Sequence, residues 1–492
     1  MKEQPNIVLI MTDQQGADFF KSEGFPLDTM PFLESLTARG VRFTRAYTPM
    51  PTCGPARTSL FTGRFPKATR VRTNWTLHEA YYGKDLIGVL RSHGYSIYLS
   101  GKNHSCLRPE DFDFYSSYMH TTGGRPQYKT EQQRAFETWL ENLHHRVSTE
   151  PTPFSLGCQF PVRIVDDAIE CLKQSHSPFF LWLSFPEPHN PYQVPEPYFS
   201  LFPEEAIPPR RIGPEGAWNK GPHWRWLRRL IEEKIPGYDD LWRRYRANYC
   251  GMLQLIDDQL QRFVTYLQEA NLLENTIVIF CADHGDYAAD YGLQRKGVGL
   301  PECLVRVPLL IMGPGILQGL RVTEEFVSLV DLMPTLCAAV GAEIPYGVQG
   351  RSLWPLLTGQ PYPKEEFLSV YCELGFGGWP YGEHERPKLH FSSAGDEYDE
   401  LNSVTQGGNL KMIRKGDWKL LYDVIGSGEL YNIVEDPAEL RNVYGDPDYG
   451  EIKMELLEEL LCWTIRTEDD LPRGKYVPKE APNNWHRAME HQ

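Results

Sequence analysis

The stretch NIVLIMTDQQ, residues 6–15, is an apolar run that ends in Asp13 and Gln14. A short, continuous apolar run of this kind is typical of a strand buried on both faces of a parallel sheet. Four further runs have the same form, YSIYLSGK at 95–102, FFLWLSFPEP at 179–188, TIVIFCADHG at 276–285 and VPLLIMGPG at 307–315. Helical patterns lie between them, as in KDLIGVLRSHG at 84–94. The alternation predicts an α/β fold in which helices sandwich a large, mainly parallel or mixed sheet.

The pattern changes after residue 359, where short strands follow one another at hairpin distances. LKMIRKG at 410–416, WKLLYD at 418–423 and GELYN at 428–432 are such strands, and a helical pattern follows near residues 450–463. We therefore predict a larger α/β domain over residues 1–365 and a smaller α+β domain over residues 366–492, built on an antiparallel sheet and a helix. Residues 186–236 combine many prolines with Trp and Tyr, which predicts a long ordered loop over the sheet edge.

Composition excludes several classes of partner. The 492 residues carry a formal net charge of −15, which disfavours binding to nucleic acid or to an anionic membrane surface. Ten cysteines are scattered singly without a CxxC pair, so neither a zinc site nor a disulfide framework is indicated. The apolar run at residues 7–11 is too short for a signal-peptide core, and no later run reaches membrane-spanning length. These features predict a protein of the reducing cytoplasm.

Four of the predicted strands end in reactive side chains. Because ligands of an open parallel sheet bind beyond the carboxyl ends of its strands, we expect these side chains to converge. The side chains at or just after these strand ends are Asp13, Gln14, Lys102, His104, His189, Asp283 and His284. The two aspartates, the glutamine and His284 offer mostly oxygen ligands, which suit Ca²⁺ or Mg²⁺. Taken singly, an aspartate after a strand is more often a helix cap or turn former.

Cys53 opens the string CGPARTSLFTG, residues 53–63, just before a predicted helix, ARTSLFTG. Backbone N–H groups at a helix N-terminus would favour an anion there and activate a thiolate, although a lone cysteine is more often an inert core residue. The string resembles the CxPxR signature of the type I sulfatases, in which that cysteine is oxidised after translation to formylglycine. The other fixed positions of the signature are present as Pro55, Arg57, Leu60, Thr62 and Gly63.

The resemblance covers roughly residues 4–445. PNIVLIMTDQQ resembles the family's opening strand with its metal carboxylate, GKNH at 101–104 its Lys-His pair, and ADHGDYAADYGLQRKG at 282–297 its second metal motif. GDWKLLYD at 416–423 and ELYNIVEDPAELRN at 429–442 resemble its C-terminal domain. The resemblance implies the fold of the alkaline phosphatase superfamily, a bound Ca²⁺ with Mg²⁺ left open, formylglycine derived from Cys53, and a maturation enzyme as a partner.

The resemblance also implies hydrolysis of a sulfuric ester and a role for each site residue. One hydroxyl of the hydrated aldehyde attacks sulfur, and proton loss from the other releases sulfate. The implied metal ligands are Asp13, Gln14, Cys53, Asp283 and His284. The remaining implied roles are Arg57 holding the formylglycine hydroxyl, Lys102 and Lys296 neutralising sulfate oxygens, His104 acting as the base that releases sulfate, and His189 donating a proton to the leaving oxygen.

Two positions depart from the commonest family pattern. Gln14 stands where many members carry a second aspartate, and His284 stands where many carry asparagine. Both variants occur in relatives that cleave choline sulfate or phosphonate esters. Phosphonate hydrolases typically replace the Lys and His of the GKNH motif, so a sulfate ester is favoured. A phosphonate monoester or phosphodiester hydrolase, a choline sulfatase, a catalytically silent binding protein and an ordinary cysteine hydrolase stay open as alternatives.

Five residues are candidates for substrate binding. Asn74 lies twenty-one positions after Cys53 and resembles an asparagine that some relatives aim at the substrate, while Trp75 can stack on a sugar face. The other three lie in a predicted substrate-selecting loop at residues 371–393 and are His384, Arg386 and His390. This set predicts a small sulfated substrate, a carbohydrate O-sulfate, with an acidic sugar as one form of it. The sequence leaves the oligomeric state open, a homo-oligomer included.

Overall fold

The computed structural model describes residues 4–144, 146–175, 178–375, 384–385, 408–468 and 482–487. The strands are β1 (Asn6–Asp13), β2 (Gly40–Phe43), β3 (Ala46–Tyr47), β4 (Ser96–Gly101), β5 (Phe114–Ser117), β6 (Phe179–Pro188), β7 (Thr276–Ala282), β8 (Leu309–Met312), β9 (Leu320–Val322), β10 (Val327–Ser328), β11 (Ser369–Leu374), β12 (Leu410–Lys415), β13 (Trp418–Asp423) and β14 (Gly428–Asn432). All five apolar runs of the sequence are strands.

The α-helices lie between these strands and after them. They are α1 (Pro31–Ser35), α2 (Cys53–Thr62), α3 (Pro66–Thr69), α4 (Leu86–Ser92), α5 (Glu131–Leu143), α6 (Phe160–Leu172), α7 (Tyr198–Leu201), α8 (Pro214–Asn219), α9 (Pro222–Lys234), α10 (Tyr238–Glu269), α11 (Glu302–Val305), α12 (Leu332–Ala339), α13 (Trp354–Leu357) and the C-terminal helix (Gly450–Glu468). Within the described residues, none of them has the length and hydropathy needed to cross a bilayer.

Eight strands form the main sheet, in the order β5-β4-β6-β1-β7-β8-β2-β9. The pairs β5–β4, β4–β6, β6–β1, β1–β7 and β2–β9 are parallel, whereas β8 runs antiparallel to both of its neighbours. The predicted α/β fold with a large mixed sheet is therefore confirmed. Because β4, β6, β1 and β7 are parallel neighbours, their carboxyl ends meet at one edge of the sheet.

Helices cover both faces of the central strand β1. Val8 and Ile10 pack into a hydrophobic cluster that includes α6 and α10, while Ile7, Leu9 and Met11 pack into a second cluster with α2, α4 and α12. All five side chains are almost completely inaccessible to solvent. This two-sided burial explains why the strand is apolar throughout instead of alternating with polar residues.

The proline-rich segment after β6 differs from the predicted loop. Residues 214–234 form α8 and α9, so the prediction of a loop was wrong there. Both helices begin at a proline, Pro214 or Pro222, a position that tolerates proline because its missing N–H would have no intrahelical acceptor. Trp224, Leu227 and Ile231 form the buried face of α9. The prolines that suggested a loop therefore mark helix starts.

The predicted smaller antiparallel sheet is confirmed, in the order β11-β12-β13-β14. One of its faces packs against the C-terminal helix, where Tyr371 stacks on Trp463 with ring centroids 6.2 Å apart. The other face packs against the larger unit, and Met412 and Cys372 share a cluster with Tyr47 there. The sheet begins just after residue 366, and the domain boundary at that residue stays a prediction because the two units share a packed interface.

A buried charge also joins the two units. The ammonium of Lys419 on β13 is inaccessible to solvent and lies 3.1 Å from a carboxylate oxygen of Glu302 on α11 and 2.7 Å from one of Glu439. Removing the lysine would leave two buried carboxylates without this partner, and a buried charge without a partner is strongly destabilising. The ion pair therefore contributes to the docking of the small sheet.

Candidate active site

The carboxyl ends of β1, β4 and β7 bring Asp13, Lys102 and Asp283 to one edge of the main sheet. Gly101 makes this approach possible on β4. Its φ is 125°, and a Cβ at this position would lie 1.8 Å from the carbonyl oxygen of Ser184 on β6. Only glycine fits between the two strands there, so the chain can deliver Lys102 directly into the edge.

Cys53 is the first residue of α2, with Thr52 as its N-cap, so the helix begins three residues earlier than predicted. Its Sγ lies 3.5 Å from Oδ1 of Asp13 and 3.2 Å from Nε2 of His284. Burial and then the Asp13 carboxylate raise the pKa of the Cys53 thiol to about 12. Burial therefore opposes the thiolate that the helix N-terminus was expected to favour.

Four buried side chains converge on one point. One ligand atom from each of Asp13, Cys53, Asp283 and His284 lies within 4.8 Å of the others. Nδ1 of His284 is 2.8 Å from the carbonyl oxygen of Gly285, which can only accept, so Nδ1 donates and the lone pair of Nε2 faces the cluster. Two carboxylates and an unprotonated imidazole nitrogen are donors that a divalent cation accepts, so the set fits such an ion.

Arg57 and Lys102 hold the two carboxylates of this cluster. Nε of Arg57 donates to Oδ2 of Asp283 at 2.8 Å, its Nη2 donates to Oδ2 of Asp13 at 3.2 Å, and its Nη1 donates to Oγ of Ser184 at 2.9 Å. The ammonium of Lys102 contacts the same Asp13 carboxylate. Burial opposes ionisation, but Lys102 and Arg57 hold the pKa of Asp13 well below its usual range. Asp13 is therefore an anion at neutral pH.

The Gln14 side chain has a fixed orientation. Its Nε2 donates to Oδ2 of Asp286 at 2.8 Å and to the hydroxyl of Tyr192 at 3.1 Å, while its Oε1 accepts from Nζ of Lys296 at 3.2 Å. Because a carboxylate only accepts, Asp286 decides which end of the amide faces Lys296. Gln14 and Lys296 were predicted as site residues from the sequence, whereas Asp286 was not, although it lies in the string DHGD at 283–286.

A pair of stacked imidazoles lies beside Lys102. The ring of His189 stacks on that of His120 with centroids 3.6 Å apart and an interplanar angle of 17°. Nε2 of His120 is 2.9 Å from Nζ of Lys102, and Nδ1 of His189 donates to the carbonyl of Asn190 at 2.9 Å. His120 was not predicted, because β5, which ends at Ser117 at the same sheet edge, was not recognisable in the sequence. His104 is half-buried and has a φ of 40°.

Asn74 contacts the residue that follows Cys53. Oδ1 of Asn74 accepts from the backbone N–H of Gly54 at 2.8 Å, directly after Cys53. This bond places the loop that carries Asn74 at the start of α2. Trp75, the next residue in the chain, is 44% exposed.

Of the three residues predicted in the substrate-selecting loop, the structure describes His384. His384 is exposed, and among the described residues it makes no hydrogen bond, ion pair or ring contact. Its neighbour Glu385 accepts a hydrogen bond from Nε1 of Trp226 on α9 at 2.9 Å. Arg386 and His390 lie outside the described residues. The substrate loop therefore stays a prediction.

Comparison with known proteins identifies relatives over most of the chain. A family model described as "Sulfatase" matches residues 5–342, and one described as "N-sulphoglucosamine sulphohydrolase, C-terminal" matches residues 300–465. An arylsulfatase of Clostridium perfringens is 27% identical over 504 aligned residues, which cover 95% of each chain. A choline-sulfatase of Rhizobium meliloti is 27% identical over 465 residues, 90% of this chain and 83% of the relative.

Among solved structures, a phosphonate monoester hydrolase of Agrobacterium radiobacter superposes with a TM-score of 0.77 over 94% of this chain and 96% of its own. The two sequences are 24% identical. At that identity the likeness shows a shared fold and leaves the substrate undecided.

Proposed function

The chain belongs to the sulfatase family of the alkaline phosphatase superfamily, whose members hydrolyse sulfuric esters, and we propose that it cleaves the O-sulfate of a saccharide. The products are an alcohol and inorganic sulfate. The observation that carries the proposal is the buried cluster of Asp13, Cys53, Asp283 and His284 with cationic side chains around it. A water-poor site with fixed cations stabilises negative charge that develops on the oxygens of a transferred sulfuryl group.

The donor set supports a divalent cation at this cluster. Asp13, Gln14, Asp283 and His284, together with residue 53, would hold it, and their mostly oxygen ligands favour Ca²⁺, with Mg²⁺ as the other hard ion. When bound, the cation supplies Lewis-acid polarisation and lowers the pKa of a hydroxyl nucleophile. A thiol with a pKa of about 12 is a poor nucleophile at neutral pH. This supports conversion of Cys53 to formylglycine by a maturation enzyme.

The protein side chains have distinct roles in this proposal. Arg57 fixes both carboxylates, since it donates to Asp13 and Asp283 at once. Lys102 and Lys296 offset negative charge on sulfate oxygens. Nδ1 of His189 is held by the Asn190 carbonyl, so Nε2 is the nitrogen that exchanges a proton with the leaving oxygen.

The base that releases sulfate is assigned to His104, the half-buried histidine of the GKNH motif. The assignment rests on its position within that motif, two residues after Lys102. A histidine is suited to this step because its unperturbed pKa lies near neutral pH.

A saccharide substrate is supported by two observations. Trp75 is 44% exposed and directly follows Asn74, whose side chain accepts a hydrogen bond from the N–H of Gly54 next to residue 53, and an indole can stack on a sugar ring. Residues 300–465 match the family model described as "N-sulphoglucosamine sulphohydrolase, C-terminal". We also infer a reducing compartment, the cytoplasm, because all ten cysteines are free thiols.

A substrate screen tests the proposal and its alternatives together. The matured protein is assayed with 4-nitrophenyl sulfate, sulfated mono- and disaccharides, choline sulfate and a phosphonate monoester, with Cys53→Ala as the inactive control. We expect the fastest turnover with a sulfated saccharide and loss of that turnover in Lys102→Ala.

Each alternative predicts another pattern in the same screen. Dominant phosphonate turnover that survives Lys102→Ala would identify a phosphonate hydrolase, and fastest turnover of choline sulfate would identify a choline sulfatase. Protein that is co-produced with a maturation enzyme, still shows only a thiol at residue 53 and turns over no sulfate ester would support a silent binding protein.

A further inference from the structure

His120 is a third imidazole of the site, and the roles described above leave it unused. It is half-buried, its ring stacks on that of His189, and its Nε2 lies 2.9 Å from the ammonium of Lys102. These two contacts hold the ring from one face and one edge. The position of the other ring nitrogen, Nδ1, is therefore fixed.

The lysine contact decides which nitrogen of His120 carries the proton. An ammonium group only donates, so Nε2 of His120 must accept from Lys102 and is unprotonated. Burial, together with the nearby His189 and the Lys102 charge, lowers the pKa of His120 well below 6.5, so the ring is neutral. A neutral imidazole without a proton on Nε2 carries it on Nδ1.

This Nδ1–H has no acceptor in the described part of the chain. The nitrogen is inaccessible to solvent and makes no hydrogen bond there. A buried donor without an acceptor is costly, and such groups in native structures call for a physical explanation. An anionic oxygen that enters with the substrate, beside the ammonium of Lys102, is an acceptor of the required kind.

We propose that Nδ1–H of His120 donates a hydrogen bond to an oxygen of the bound sulfate group, next to the charge supplied by Lys102. The assignment rests on the sulfatase activity proposed above. His120 thereby acts in two ways, since Nε2 orients Lys102 and Nδ1 binds substrate. A neutral donor adds a directed hydrogen bond to an oxygen without repelling the adjacent ammonium.

Two substitutions separate these two contacts. In His120→Asn the side-chain amide nitrogen can take the place of Nδ1, so the donor is kept while the contact to Lys102 is lost. In His120→Gln the amide oxygen can take the place of Nε2, so Lys102 keeps its acceptor while the donor near the backbone is lost. His78→Gln, at an exposed histidine, is the matched control.

The probe is inorganic sulfate, whose binding to matured protein is measured by calorimetry, alongside kcat/KM for 4-nitrophenyl sulfate. We expect His120→Gln to weaken sulfate binding by about 10- to 100-fold, the usual effect of losing a hydrogen bond to a charged group. His78→Gln should bind sulfate as tightly as the wild type, and His120→Asn nearly as tightly, because the Asp13 carboxylate still holds Lys102. Sulfate affinity unchanged in His120→Gln, or equally weakened in His120→Asn, would overturn the proposal.

The design separates this inference from the proposed function. Wild-type turnover of 4-nitrophenyl sulfate tests the function alone, and an active wild type with an unaffected His120→Gln variant refutes only the role of His120. Should a variant fail to fold, a crystal structure of the wild type soaked in sulfate decides. A sulfate oxygen within about 3.2 Å of Nδ1 supports the proposal, and sulfate bound in the site without that contact overturns it.

Discussion

Replacing Asp286 with asparagine should weaken metal binding although Asp286 is outside the cluster of ligands. Asp286 accepts hydrogen bonds from Nε2 of Gln14, from the hydroxyl of Tyr245 and from the backbone N–H groups of Ala288 and Arg295. The new amide group of Asp286→Asn brings a donor to this acceptor-only position. The amide of Gln14 then turns its Oε1 toward the new donor, and its Nε2, which cannot bind a cation, takes the place that Oε1 holds beside Lys296.

The expected loss of metal affinity follows from the hydrogen bonds that are lost when Asp286 is replaced. Substitution of a residue that orients a metal ligand typically weakens metal binding by about 10- to 100-fold, which corresponds to about 1.4 to 2.7 kcal/mol. A hydrogen bond to a charged group contributes about 1.5 to 3 kcal/mol, so loss of the Gln14 bond alone accounts for the effect. Protein stability falls as well, because the two backbone N–H groups lose a charged acceptor.

The assay is calorimetric titration of Ca²⁺ into metal-free protein, with thermal unfolding measured with and without the ion. Asp290→Asn is the matched control, because Asp290 pairs with Arg246 at 2.8 Å and does not contact Gln14. We expect the control to lose stability while it keeps its Ca²⁺ affinity. Wild-type Ca²⁺ affinity in Asp286→Asn, or an equal loss in Asp290→Asn, would refute the reasoning.

Three further predictions concern stability and thiol chemistry. Lys419→Met should lower the free energy of unfolding by about 3 to 5 kcal/mol, because the buried Glu302 and Glu439 lose the cation that they share. Urea denaturation measures this, and a change near zero would contradict it. Burial raises the pKa of Asp257 from 3.8 to about 7. Between these two pH values the folded protein holds a proton that the unfolded chain has lost, so the free energy of unfolding should fall by up to about 4 kcal/mol as the pH rises. Asp257→Asn should flatten this dependence in thermal unfolding scans at pH 4.5 and 7.5, and an unchanged slope would count against it. In unmatured protein at neutral pH, iodoacetamide should alkylate the exposed Cys462 and spare the buried Cys53. Peptide mass spectrometry measures both, and rapid alkylation of Cys53 would favour a cysteine hydrolase.

Features that depend on local sequence could be predicted. The apolar runs located β1, β4, β6, β7 and β8 because strands buried on both faces have no polar positions. The hairpin spacing located the small sheet, and the motif strings located Asp13, Cys53 and Asp283 because each string ends or begins a regular element at the same sheet edge. The members of the cluster could therefore be predicted from the sequence, whereas the distances between them could not.

Features that depend on packing between distant segments could not be predicted. His120 enters the site because β5 pairs with β4, and a four-residue strand has too short a pattern to be recognised. The orientation of Gln14 depends on Asp286, which is distant in sequence. The raised pKa of the Cys53 thiol depends on burial by the whole fold, which no local string encodes.

The most direct test of the account compares turnover with the chemical state of residue 53. Protein samples with graded conversion of Cys53 to formylglycine are prepared, the converted fraction is measured by peptide mass spectrometry, and hydrolysis of 4-nitrophenyl sulfate is measured on each. The account predicts activity proportional to the converted fraction and none at zero conversion. Activity that is independent of conversion, or that follows the remaining thiol, would contradict it.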